Sequence, residues 1–300
     1  MAPKNNFGTV CSGGVDSTLI SYFLKEHKYN KFFICLNNEG KDPVADNIYN
    51  FNNFFDFKKF KLIKINLKKY FSSLSKTYRY FKSPFPTHDL VGRLKIFEFF
   101  RNNKVRVCFT ADGADEIFGG YSLYKKINWK IKNSSNHSPY SSIKKAKILS
   151  NEMMPKILWE KAYQKYNKFL TSRESKVQAS LFVDYFVQAV GVHNISNDIL
   201  AGECSIEVRN VYINKNILKF ALNLPLEYKI NLKNKSSKFK TKPILKEVFT
   251  SIFGNDLLFK KQGFSGFPNE SKNLLTLKDK MLFLKVCKTY SKKFNLNHAF

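Results

Sequence analysis

Arginine is scarce in this chain. Six of its 51 basic residues, at positions 79, 93, 101, 106, 173 and 209, are arginine, yet the guanidinium fork is the group best shaped to grip bases and phosphates with two hydrogen bonds. The formal net charge of +28 therefore comes almost wholly from lysine, scattered through the chain among abundant Asn, Phe and Ile. Clustered cations along a track are what a nucleic acid selects for. Scattered lysine argues against a nucleic-acid partner.

Cysteine is also thinly used. The five cysteines (11, 35, 108, 204 and 287) are odd in number and contain no CxxC, so neither a disulfide framework nor a zinc site is expected. Long apolar runs are missing as well: the run that contains residues 34–36 is among the longest, far short of the roughly 20 residues a bilayer-spanning helix needs. The first thirty residues lack the basic-then-apolar order of a secretory signal. A soluble cytoplasmic protein without a membrane partner is the expectation. There is no internal repeat, and no GxxxxGK[ST], which removes the Walker type of phosphate loop.

What the chain does have is alternation. Over its first 125 residues, strand-like runs at 7–11, 31–36, 60–65 and 105–110 alternate with helix-length segments at 15–27, 42–55 and 89–102. Strands separated by helices predict an α/β fold, a parallel sheet with helices on both faces, whose ligands sit at the carboxyl ends of the strands. Residues 132–142 (KNSSNHSPYSS) read as a linker, and the segments at 143–170, 175–190, 214–223 and 243–253 have helical periodicity. The expected organisation is a nucleotide-binding α/β part over 1–125 and a mainly helical part over 126–300. The lysine-dense run 231–242 (NLKNKSSKFKTK) reads as a mobile surface loop or a lid over an anion.

Two stretches carry chemistry. In CSGGVDS, Ser12, Gly13 and Gly14 follow the first strand and lead into a helix bearing Asp16 and Ser17, so backbone N–H groups and a helix N-terminus converge where a phosphate or pyrophosphate would sit. FTADGADEIFGGY, residues 109–121, follows the fourth strand and places Asp112, Asp115 and Glu116 on a turn punctuated by Gly113, Gly119 and Gly120. Carboxylates that close repel one another unless a cation or an ordered network holds them, and Mg²⁺ is the hard cation that accompanies polyphosphate.

These residues resemble a known family. SGGVDS matches the pyrophosphatase loop of the adenylating PP-loop enzymes, and TADGADEIFGGY is similar to the corresponding segment of the asparagine synthetase family. The resemblance continues in order through Asp198, Ser205 to Arg209 (SIEVR), 220–225 (FALNLP), Lys242 with Ile244 to Lys246, and 260–265 (KKQGFS). It spans roughly residues 7–268. It implies that a carboxylate, aspartate first among candidates, is activated by ATP as an acyl-adenylate with loss of pyrophosphate, and then attacked by ammonia to give an amide and AMP. It further implies that Ser12, Gly13, Gly14, Asp16, Ser17, Thr110, Ala111 and Gly113 bind ATP or the pyrophosphate. Asp16 and Asp115 hold Mg²⁺, Lys261 stabilises the α-phosphate and the later oxyanion, Asp112 orients or deprotonates the amine, and Lys242 contacts phosphate.

The sequence departs from that pattern at 209–214 (RNVYIN) and at Asp198-Ile199, changes that put the acceptor carboxylate in question more than the adenylation. Only eleven residues precede Ser12, where such synthetases usually carry a glutaminase domain, so free ammonia or a separate glutaminase subunit is expected to feed the site. Cys11, at the end of a strand, is not the expected glutaminase nucleophile. A PP-loop enzyme acting on RNA is favoured by the charge and disfavoured by the missing CxxC and the full run of synthetase motifs. A nucleotide-binding protein without catalysis is disfavoured by the joint presence of Asp16, Asp112, Asp115 and Lys261. No role falls to His88 or His193.

Overall fold

A computed structural model of the chain describes residues 6–38, 48–81, 89–121, 124, 161, 165, 172–231 and 239–259. The expectations for residues 132–142, 143–160 and 274–300, for His88 and for Lys261 lie outside them. By contacts the chain divides into two units: Met1–Thr110 with Ser196–Arg209 and Phe259–Phe300, and Ala111–Ile195 with Asn210–Leu258. The division falls at Thr110 rather than at residue 125, and the first unit takes back a segment from the second half of the chain.

In the first unit, β1 (Phe7–Val10), β2 (Asn30–Asn38), β3 (Phe60–Ile65), β4 (Val107–Thr110) and β5 (Glu207–Asn210) form one sheet in the order β3-β2-β1-β4-β5. β1 pairs in parallel with β2 and β4, and β2 with β3. The short apolar runs with helices between them thus give the expected α/β fold. The strand order reverses at β1, which lies between its sequence successor β2 and the later β4. In open α/β sheets ligands bind at such a switch point, which here falls at the carboxyl ends of β1 and β4.

Helix α1 (Val15–Leu24) follows β1, α2 (Leu67–Phe81) follows β3, α3 (Leu90–Asn102) precedes β4, and α6 (Ile195–Gly202) precedes β5. Ile34, Leu36, Ile65, Leu94, Phe97, Phe100, Cys108, Leu200 and Ile206 are among the side chains of one buried cluster. Gly8 lets Phe100 close onto β1, since a Cβ there would lie 2.3 Å from Cε1 of Phe100. Arg93 of α3 is buried; its Nε donates to Asp89 and its Nη1 to Asn197 of α6, each at 2.6 Å. The charge is thus compensated within the first unit.

Three expectations need correction. Of the helix expected at 42–55, residues 42–47 lie outside the described ones, Ile48 is α-helical and leads into a 3₁₀ turn, Tyr49–Phe51, and the helix ends before residue 55. Aromatic packing overrides helical spacing here: Phe55 meets Phe33 at 5.2 Å between ring centroids and Phe60 at 5.6 Å. Helix α2 is absent from the sequence expectations although Leu67, Tyr70, Phe71, Leu74, Tyr78 and Phe81 recur at helical spacing. β5 lies in the part expected to be mainly helical. The chain returns here to pair at the sheet edge, with the Glu207 amide donating to the Arg106 carbonyl at 2.8 Å.

The second unit is helical in its described residues, as expected. It contains α4 (Ala114–Phe118), α5 (Arg173–Asp184), α7 (Lys215–Asn223) and α8 (Pro243–Phe253). Ser172 caps α5 by accepting from the Ser175 amide at 3.1 Å, and Ser175 returns the bond. Beyond α5 the helix widens into a π-helical segment, Tyr185–Asn194. Tyr124, Val177, Leu181, Leu226 and Ile230 form a buried cluster. The run 231–242, expected to be a surface loop, is anchored at its carboxyl end: Thr241 bridges Ile230 and both Thr241 and Lys242 are buried. No helix among the described residues is long and apolar enough to cross a membrane.

Candidate active site

The first unit supplies the phosphate turn. β1 ends at Val10, Cys11 is fully buried, and Gly13 turns the chain with a φ of 79°, the left-handed region that glycine enters without steric cost. Gly14 then caps α1 in extended conformation. Ser17 ties the turn together: its hydroxyl accepts from the Ser12 amide at 3.1 Å, lies 2.9 Å from the Ser12 hydroxyl and donates to the Gly14 carbonyl at 3.3 Å. The Gly14 amide reaches the Ser12 hydroxyl at 3.4 Å. Asp16 stands in the first turn of α1. The result is a preformed turn at a helix N-terminus, at the carboxyl end of the central strand, as an anion site requires. Burial pushes the Cys11 thiol up, against opposing hydrogen bonds led by Ser21, which keeps it a poor nucleophile.

Thr110, buried at the end of neighbouring β4, closes the first unit. The chain passes directly into Ala111 and Asp112. In the second unit Gly113 caps α4 with a φ of 96° and packs against the turn that follows Asn210: a Cβ at Gly113 would lie 3.0 Å from Cγ1 of Ile213. Tyr212, buried, meets Phe118 edge-on at 6.1 Å. Tyr212 and Ile213, which depart from the family pattern, therefore stand against the acidic turn itself.

Asp115 and Lys242 are brought together. Lys242 Nζ lies 2.5 Å from Asp115 Oδ1, with the lysine side chain buried and the carboxylate partly so. Lys242 holds a left-handed backbone (φ 49°) at the start of α8, and its amide donates to the Lys229 carbonyl at 2.8 Å. Gly120 is the floor beneath the pair. A Cβ on Gly120 would lie 1.6 Å from Asp115 Oδ1 and 2.3 Å from Lys242 Cε, so only glycine permits the contact. Gly119, with a φ of 69°, lies equally close under Ile230.

Glu116, Tyr121 and His193 form a cluster that carried no role in the sequence reading. Tyr121 donates to Glu116 Oε1 at 2.6 Å, and His193 Nε2 stands 3.7 Å from the same oxygen. Burial, reinforced by the charge of Asp115, pushes the Glu116 carboxyl up to about 8, so it is protonated at neutral pH. Burial and the charge of Glu116 push the Tyr121 phenol up as well. Glu116 and Tyr121 were visible within the DEIFGGY stretch. Nothing in the sequence marks His193, which the wide π-helical turn brings to the cluster.

Residues 1–283 match the family model described as asparagine synthase. The chain belongs to the asparagine synthase family. A search of curated proteins found no match. Membership carries ATP-dependent amidating ligase chemistry, and with it the use of ATP. The family's SIEVR-type motif builds edge strand β5, where Glu207 and Arg209, two apart and so on one face, pair through Nε to Oε1 at 2.7 Å and Nη2 to Oε2 at 3.3 Å. For a metal beside ATP, no three His, Cys, Asp or Glu side chains converge among the described residues. Mg²⁺ bound with polyphosphate asks for one or two carboxylates and takes its other ligands from phosphate and water, so the carboxylates present fit it.

Proposed function

We infer that this protein activates a small carboxylate, aspartate foremost, with ATP and then amidates it with ammonia. The observation that carries the reading is the Ser12–Ser17 turn, preformed at the carboxyl end of the central strand and at the switch point of the sheet. In the first step a carboxylate oxygen of the substrate attacks the α-phosphorus, the bond to the β-phosphate bridging oxygen breaks, and pyrophosphate leaves. The N–H groups of the turn and the hydroxyls of Ser12 and Ser17 hold the leaving group, while Lys242 contacts phosphate as a point charge. Asp16 and Asp115 would hold Mg²⁺, which offsets charge on the departing pyrophosphate. In the second step ammonia attacks the acyl carbon, Asp112 takes the proton the nitrogen sheds, and AMP departs as the carbonyl re-forms. Lys261, outside the described residues, is assigned the α-phosphate and the tetrahedral oxyanion from its place in KKQGFS.

Pyrophosphate release with ATP, Mg²⁺ and ammonium across a panel of carboxylic acids tests the reading, with aspartate expected to give the fastest release. Absence of release with every acid overturns it. Asp112→Asn and Lys261→Ala are each expected to lower turnover by at least about 100-fold. Replacing ammonium by glutamine, with and without an added glutaminase, measures which nitrogen source the protein accepts.

A different acceptor acid is the second reading, favoured by Tyr212 and Ile213 standing against the acidic turn. Release that is faster with another acid of the panel than with aspartate selects it.

A further inference from the structure

The contact between Lys242 and Asp115 bears on how nucleotide and metal arrive. Under the proposed function both residues have other business: the lysine with a phosphate, the carboxylate with a divalent cation. In the structure each is the other's partner at 2.5 Å, and the pairing is built into the backbone. The bridge between Ile230 and Thr241, the bond from the Lys242 amide to the Lys229 carbonyl and the left-handed turn into α8 fix where the lysine starts. Gly120 leaves the space through which its stem passes.

We propose that Lys242 is a resident cation for Asp115, which makes metal binding at that carboxylate conditional on the nucleotide. A divalent cation approaching Asp115 alone must displace an ammonium group from the same oxygen or bind beside it against like-charge repulsion. Metal-free ATP, for its part, must draw Lys242 away from a carboxylate that then loses the ammonium group beside it. When both come together the exchange balances: phosphate accepts the ammonium and the carboxylate accepts the metal. Such coupling is reciprocal, so whatever the pair costs the metal in the absence of nucleotide, it costs the nucleotide in the absence of metal.

The inference rests on the proposed ATP site, and its test reads gains of binding, which a damaged fold does not produce. With the full-length protein free of nucleotide, Mn²⁺ uptake followed by electron paramagnetic resonance is expected to tighten about tenfold in Lys242→Met, and likewise in Lys242→Gln. In EDTA, equilibrium dialysis of ATP is expected to show about tenfold tighter binding to Asp115→Asn than to wild type, because the ammonium group is released to the phosphate. Unchanged or weaker binding in either arm overturns the proposal. Wild-type binding of Mg-ATP in the same dialysis cells separates the two levels: if it is absent, the nucleotide reading and this inference both fall. If it is present and neither variant gains, only the resident-cation role falls.

Discussion

Tyr121 and Glu116 share a short hydrogen bond, 2.6 Å from the phenol to Oε1, deep in the second unit. Glu116 is buried and faces Asp115 and Asp112 along its own turn, with Tyr121 and His193 against its carboxyl. Its proton is therefore held to about 8 in the folded protein, against 4.5 for the ordinary side chain. Between those two values the folded chain binds a proton that the unfolded chain has lost, so this group makes stability fall as pH rises from about 4.5 to about 8. Glu116→Gln keeps the carbonyl that Tyr121 donates to and removes the titration. Urea unfolding is expected to show the variant gaining on wild type between pH 5 and pH 8.5, and an equal difference at both pH values counts against the assignment.

Gly120→Ala introduces a methyl group where Asp115 and Lys242 already lie. Overpacking of this kind costs about 1–3 kcal/mol, and here it also separates the two side chains. Pyrophosphate release is expected to fall by at least about 100-fold while the melting temperature drops by several degrees. Retained turnover in a folded Gly120→Ala protein would show that the close contact is dispensable.

At Gly8 the obstacle is the ring of Phe100, in the sheet-and-helix layer of the first unit. Gly8→Ala is expected to destabilise by about 1–3 kcal/mol, and Phe100→Leu, which clears the space, to restore part of that loss when the two are combined. The coupling from a double-mutant cycle by chemical denaturation should reach at least about 0.5 kcal/mol; strict additivity would mean the ring is not what a methyl group meets.

Arg93 bonds Asp89 and Asn197 at 2.6 Å each from a buried position. Arg93→Ala removes the cation and keeps Asp89 buried, so a loss of about 3–5 kcal/mol is expected. Arg93→Ala with Asp89→Asn should recover a measurable part of it. Calorimetric unfolding of the three variants decides the point.

The parts of this protein that were legible in its sequence are those where local chemistry and final position agree. SGGVDS needs a glycine in left-handed conformation and a helix directly after, and both are in place at Gly13 and Val15. Pro243 at the first position of α8 marks that helix to the residue. Illegible parts are those decided by distant packing. Phe51 and Phe55 have helical spacing but are buried, Phe55 against the strand residues Phe33 and Phe60. Helix α2, by contrast, is legible in the helical spacing of Leu67, Tyr70, Phe71, Leu74, Tyr78 and Phe81. In the site, the run around Lys242 is so lysine-rich that hydropathy assigns it to solvent, whereas the bridge to Ile230 turns that lysine inward. His193 depends on the register of a π-helical turn, which no spacing rule reads.

The strand order has a consequence for how the chain matures on the ribosome. β5 closes the edge of a sheet whose other four strands are complete at Thr110, but it is made from residues 207–210, after the chain has left for the second unit and returned. At roughly 5–20 residues per second, about 100 further residues take some 5–20 s to synthesise. Throughout that interval β4 presents an open edge to any extended segment nearby, including those of sister chains on the same message. Yield of folded protein should therefore respond to the speed of translation between the codons for Thr110 and Arg209 more than to its speed elsewhere.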